Sequence, residues 1–135
     1  GLYSIKRKNY SVYDAIKDLS KNYHLGILTN GNADIFKYKI GKYFDFSLSS
    51  FDVKDNKPNK PHFVSAKNKY NDISFQEIIH IGDHQVNDVF GAHELGMKAV
   101  WFNNRNKEWE QSFGKPDEFA YWKDCIKLIE ELNER

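Results

Sequence analysis

Two carboxylates five residues apart, Asp83 and Asp88, are the strongest chemical signal in this chain. They follow the apolar run Ile78-Ile79-His80-Ile81, and the break at Gly82 releases the first of them. A β-branched run ending in Gly-Asp reads as a buried strand that presents the acid at its C-terminal end, with a loop and a helix behind it. Parallel sheets bind ligands at that edge. Two hard oxygen donors this close suit Mg²⁺; the alternative is that both acids cap the following helix. Two other polar clusters extend the pattern. Thr29-Asn30-Gly31 closes an earlier apolar run, and Lys57-Pro58-Asn59 lies in a polar segment beyond the next one. A Thr hydroxyl with nearby backbone N–H groups can hold phosphate oxygens, a Lys adds positive charge for the same phosphate, and two acids can hold and orient a metal. Together these are the parts of a phosphoryl-transfer site, where positioning and charge stabilisation do most of the chemistry.

The elements that must position these groups can be read in order. Ser11 can cap a helix with Asp14 three residues on, and Val12, Ala15, Ile16 and Leu19 mark one face of it. A short buried strand follows within residues 24–30, built on Leu25, Ile27 and Leu28. The Thr29–Asn32 turn then starts a helix at Asn32, with Ile35, Phe36 and Ile40 on its apolar face and a stop near Gly41. A second strand centres on residues 46–48. Residues 52–62 form a polar loop whose two Lys-Pro pairs stop regular structure. Phe63, Ala66 and Tyr70 give the next helix face, and the central strand occupies 77–82. Val86, Val89 and Leu95 belong to a helix ending at Gly96, and residues 97–102 form a fourth strand. After a polar and aromatic stretch, 103–117, a short extended piece near 119–121 precedes a last helix on Ile126, Ile129 and Leu132. Strands alternating with helices imply an α/β fold, a parallel sheet with helices on both faces. The three polar clusters then fall on one edge.

Composition narrows the function. The 135 residues suffice for one domain, and 10 Phe, 8 Tyr and 3 Trp supply a core. A net charge of +1 gives no electrostatic case for nucleic acid or an anionic membrane. No apolar run reaches transmembrane length. The lone Cys125 favours a reducing compartment, so the expected location is cytoplasmic, and its position in a helical pattern makes it a small core residue. No Gly-x-Gly-x-x-Gly occurs, which argues against a dinucleotide-binding domain. Among the histidines, His80 is expected to pack beside the site, His84 to touch substrate or solvent, and His62 to lie on the surface of a helix's first turn. Trp101 and the aromatic residues at 109, 113 and 119–122 are expected to pack.

At this point the chain resembles the haloacid dehalogenase (HAD) superfamily of hydrolases. The resemblance rests on Ile27-Leu28-Thr29-Asn30-Gly31, Lys57-Pro58-Asn59 and Ile81-Gly82-Asp83 through Asp88, and it continues through Gly91-Ala92 and Gly96-Met97-Lys98. It covers residues from about 11 to 132. The resemblance implies a Rossmann-like core, Mg²⁺ as cofactor and a small phosphorylated substrate. Thr29 would bind the transferring phosphoryl group, assisted by backbone N–H groups of the Thr29-Asn30-Gly31 turn. Lys57 would stabilise charge on the nucleophile and phosphate. Asp83 would bind Mg²⁺, and Asp88 would orient that metal shell or Lys57. Lys60-Pro61 rivals Lys57-Pro58; Lys57 is preferred because Phe63 then falls six residues on, as the family pattern requires. Thr-Asn-Gly favours a phosphatase over a dehalogenase, whose members more often carry Ser-Ser-Asn.

The family's Asp-x-Asp motif does not occur in these 135 residues. Its first Asp attacks phosphorus, and a carboxylate nucleophile splits one hard hydrolysis into two easier steps. The resemblance therefore implies a core that lacks its first, central strand and its cap domain. Residues 1–10 read as the return from such a segment, and 11–135 as the incomplete core. A second fragment or a second copy is expected to complete the sheet. The competing reading is a non-catalytic domain of the same fold that binds a ligand or partner.

Overall fold

The computed structural model describes residues 9–135. Most of the expected leading segment, residues 1–8, lies outside them. Among the described residues five short parallel strands carry the fold: β1 (Gly26–Leu28), β2 (Phe46–Leu48), β3 (Ile79–Gly82), β4 (Lys98–Phe102) and β5 (Asp117–Phe119). They form two sheets, β1-β2 and β3-β4-β5. Each pair is parallel, with Ile27 opposite Ser47, Ile81 opposite Val100 and Trp101 opposite Glu118. Among the described residues no ladder joins β1 to β3, which is the split expected of a sheet without its central strand.

Helices cover both faces, as the α/β pattern requires. On one face α1 (Val12–Leu19) and α5 (Cys125–Glu134) pack Leu19, Cys125, Ile129 and Leu132 against Val100 and Phe119. On the other, α3 (Pro61–Lys67) and α4 (Gly91–Glu94) bring Phe63 and Ala92 against Met97, Leu28 and Ala99. Alternation along the strands divides these faces: Ile79 and Ile81 join the first core, while His80, between them, turns to Phe63 in the second. Ser11 caps α1, and the Asp14 carboxylate accepts from the Ser11 backbone at 2.8 Å, the capping box read from sequence. Cys125 is fully buried, and burial raises its thiol pKa to about 11. No helix among the described residues is long and apolar enough to cross a membrane.

Three expectations are corrected. The helix expected from Asn32 to Gly41 is instead two 3₁₀ turns, Ile35–Lys37 and Lys39–Tyr43. Extended backbone at Tyr38 separates them, and Gly41 folds back so closely that a Cβ there would lie 2.6 Å from the Ile35 carbonyl oxygen. The polar loop at 52–62 is shorter than expected. Ser49 caps a four-residue helix, α2 (Ser50–Val53), and Pro61 opens α3 at the position where its missing N–H costs nothing. The extended piece near 119–121 lies two residues earlier, at β5, where it pairs with β4.

Candidate active site

The three polar clusters meet at one edge through a chain of contacts. Thr29-Asn30-Gly31 leaves β1. The Thr29 hydroxyl accepts a hydrogen bond from the Gly31 N–H at 2.9 Å and keeps its own proton to donate. Asn30 reaches the second cluster. Its Oδ1 accepts from the Lys57 N–H at 2.7 Å, and its Nδ2 donates to the Lys57 carbonyl at 3.1 Å. Asn30 therefore grips the Lys57 main chain through both its N–H and its carbonyl and sets where the Lys57 side chain starts. The Asn30 carbonyl in turn accepts from Ser50 Oγ at 3.0 Å, which ties the turn to α2.

Lys57 extends to the third cluster. Its Nζ lies 2.5 Å from Asp88 Oδ1, with 10% of the lysine side chain and 8% of the aspartate side chain exposed. His80 Nε2 lies 3.1 Å from the same oxygen. An ionised carboxylate only accepts, so Nε2 carries the proton. Asp88 Oδ2 accepts from the His84 N–H at 3.2 Å. Burial alone would raise the pKa of Asp88, but His80 and then Lys57 overcome it and hold the carboxyl well below the usual carboxylate range. Gly82 makes room for this arrangement, because a Cβ there would meet the Asp88 carboxylate carbon at 2.2 Å.

Asp83 differs from Asp88. It is exposed at the end of β3, and its carbonyl is fixed by Trp101 Nε1 at 3.1 Å. Among the described residues no cluster of three or more metal-ligating side chains exists. Asp83 alone still fits Mg²⁺, which keeps several waters and takes one or two carboxylates plus substrate phosphates. Asp88 has both oxygens engaged by Lys57, His80 and His84. Among the candidate site residues its contact is with Lys57.

Several residues differ from their reading in the sequence. Lys60 is exposed at the start of α3, so Lys57 is the lysine brought to Asp88. The turn Gln85–Phe90 is capped by neither acid. His84 Nδ1 caps it instead, accepting from Val86 N–H at 3.2 Å and Asn87 N–H at 2.9 Å. His62 is not on the surface but fully buried. Its Nε2 donates to the Thr29 carbonyl at 2.8 Å, and its buried Nδ1 has no partner among the described residues. The signal was available: His62 and Ala66 are four apart on one helix and share its buried face. His80 packs beside the site as expected, edge-on to Phe63 with ring centroids 5.1 Å apart, and it also bonds to Asp88. Trp101 packs on Trp109 as expected.

The sequence profile described as haloacid dehalogenase-like hydrolase matches residues 7–102. The chain belongs to this family. A 5-amino-6-(5-phospho-D-ribitylamino)uracil phosphatase of Escherichia coli is 35% identical over 101 residues, 75% of this chain and 42% of that protein. A glyceraldehyde 3-phosphate phosphatase of Pyrococcus abyssi is 34% identical over 85 residues, 59% of this chain and 35% of that protein. The crystal structure of a 2-haloacid dehalogenase from Pseudomonas syringae superposes with a TM-score of 0.84 at 29% identity, covering 89% of this chain and 52% of that one. The chain thus spans about half or less of the length of each. As a HAD-family chain it carries its Thr, Lys and Gly-Asp clusters on one edge of a Rossmann-like core.

Proposed function

We propose that this chain provides the phosphate-binding and metal-binding side of a Mg²⁺-dependent phosphatase acting on a small phosphomonoester. The observation that carries the reading is the continuous linkage from Asn30 through Lys57 to Asp88, which gathers a hydroxyl donor, a cation and an exposed carboxylate at one sheet edge. The two phosphatase relatives support the reaction class, as does the Thr-Asn-Gly turn. The lone, buried Cys125 supports a reducing, cytoplasmic setting.

In this reading an aspartate from outside the sequence attacks phosphorus. A bond forms between the carboxylate oxygen and phosphorus as the ester P–O bond breaks, and the alcohol leaves with a proton that the second Asp of the Asp-x-Asp motif would donate. Water then cleaves the aspartyl-phosphate. Residues of this chain hold the phosphoryl group. Thr29 donates its hydroxyl proton to a phosphoryl oxygen, with backbone N–H groups of the Asn30-Gly31 turn beside it. The Asn30 side chain acts indirectly, by positioning Lys57. The Lys57 ammonium donates one hydrogen bond to Asp88 and has other N–H groups for the phosphate and the attacking carboxylate. Asp83 would hold Mg²⁺, which when bound neutralises phosphate charge.

The test is release of phosphate from 4-nitrophenyl phosphate by a polypeptide that joins this sequence to its Asp-x-Asp segment. Mg²⁺-dependent release that disappears in Asp83→Ala is expected. Unchanged turnover of that variant at limiting Mg²⁺ would refute the role of Asp83. No release with or without Mg²⁺ would favour a non-catalytic binding domain. Halide release from 2-chloropropionate instead would favour the dehalogenase chemistry of the Pseudomonas relative.

A further inference from the structure

Almost every polar group of the Thr29-Asn30 pair is committed. Thr29 N–H donates to the Leu48 carbonyl at 3.0 Å. The Thr29 hydroxyl oxygen accepts from Gly31 N–H, and the Thr29 carbonyl accepts from His62 Nε2. The Asn30 side chain holds the Lys57 N–H and carbonyl, and the Asn30 carbonyl accepts from Ser50 Oγ. Among the described residues this leaves two donors without an acceptor, the Thr29 hydroxyl proton and the Asn30 N–H. Two neighbouring donors on a turn whose Asn30 is exposed suit an oxyanion.

One of these donors is aimed from behind. The Thr29 carbonyl and the Asn30 N–H belong to one peptide unit, which is planar and trans, so the two point in opposite directions. His62, fully buried on α3, holds the carbonyl from the inside at 2.8 Å. The N–H on the other side of the same plane is thereby turned outward. An imidazole is otherwise unfavourable at this position. Its Nδ1 is buried with no partner among the described residues, and Phe63 and Ala66 of the same helix are buried and apolar. An apolar side chain of similar size would fill the space and leave no polar atom unpaired. What the imidazole adds is one N–H, and that N–H goes to Thr29.

We infer that His62 is a positioning residue for the phosphate-binding turn: by holding the Thr29 carbonyl it fixes the Thr29–Asn30 peptide unit with its N–H presented to a phosphate oxygen. Without that donor the carbonyl would be left buried and unpaired. Rotation about ψ of Thr29 and φ of Asn30 would turn it to water and carry the N–H inward, so that a carbonyl oxygen faced the anion. The inference rests on the proposed reading of this turn as a phosphate site; the assignment of His62 to it rests on the burial and bonding of the imidazole.

The test is a titration of the 135-residue chain with inorganic phosphate at constant ionic strength, followed by NMR at the Asn30 amide. A pH of about 8 keeps His62 neutral. His62→Leu removes the N–H, and His62→Gln returns one. In wild type the Asn30 amide signal should move as phosphate binds. His62→Leu should raise the Kd for phosphate by about tenfold, the loss expected for one hydrogen bond to a charged group, and His62→Gln should stay within about threefold of wild type. A residue that only packs α3 against β1 would lower the urea midpoint of both variants and leave the phosphate Kd of the folded chain unchanged. Equal Kd values for wild type and His62→Leu therefore overturn the inference. A loss in His62→Gln as large as that in His62→Leu also overturns it, because shape and not the N–H would then decide. So does a wild-type Asn30 amide that phosphate does not move; turnover of 4-nitrophenyl phosphate by the joined polypeptide judges the phosphatase reading separately. Should neither variant fold, imidazole nitrogen NMR of the wild type decides: a protonated Nε2 with a bare Nδ1 is expected, and the opposite tautomer overturns the inference.

Discussion

Lys57 Nζ sits 2.5 Å from Asp88 Oδ1, a contact between residues 31 apart in sequence that joins the α2–α3 loop to the turn after β3. Both side chains are nearly buried. Removing one partner of such a pair leaves the other charge without compensation.

Asp88→Asn should therefore destabilise the chain by roughly 3 kcal/mol, read as a lower urea midpoint. The pair also sets a pH dependence. The Asp88 pKa is lower folded than unfolded, so its stabilisation is complete above the unfolded value of about 3.9 and is lost as pH falls through the folded value. Asp88→Asn should flatten the acid limb of the stability curve. An unchanged limb in that variant would mean other carboxylates govern it.

Gly82→Ala tests close packing. The added methyl would meet the Asp88 carboxylate carbon at 2.2 Å. Moving that side chain disturbs its bonds to both Lys57 and His80, and overpacking costs about 1–3 kcal/mol. A thermal midpoint equal to wild type would show that Asp88 can shift freely.

His62 should impose a second pH dependence at milder acidity. Burial lowers its pKa, the bond to the Thr29 carbonyl only partly opposing this. The unfolded chain therefore takes up a proton first as pH falls. Stability from neutral His62 is full above about 6.5 and is lost as pH drops through the folded value, with a slope of at most about 1.4 kcal/mol per pH unit. His62→Gln keeps a donor for Thr29 and cannot titrate. Its urea midpoint should vary less between pH 7 and 5 than that of wild type; equal variation would assign the effect elsewhere.

Asn30→Ala should loosen Lys57 without touching its charge. Two bonds to the main chain of one residue are lost, at about 1 kcal/mol net each and less where water replaces them. NMR should show the Lys57 amide shifted and faster exchange there, with β4 unaffected. An unmoved Lys57 amide would show that Asn30 does not set the loop.

The sequence alone determined what local forces determine. Ser11 with Asp14 marks a helix start because a cap is satisfied within one turn. The β-branched runs before Thr29 and Gly82 mark strands because a strand buried on both faces is apolar throughout. Alternating strands and helices then require a parallel sheet, which brings Thr29, Lys57 and Asp83 to one edge. Tertiary structure decided the rest, because contacts between residues far apart in sequence leave no periodic trace. It chose Lys57 over Lys60 through the grip of Asn30, 27 residues away. It assigned Asp88 to Lys57 and His80, and it buried His62 under β1. It broke the helix expected after Asn32, with Gly41 folded back onto Ile35, and among the described residues it left β1 and β3 in separate sheets.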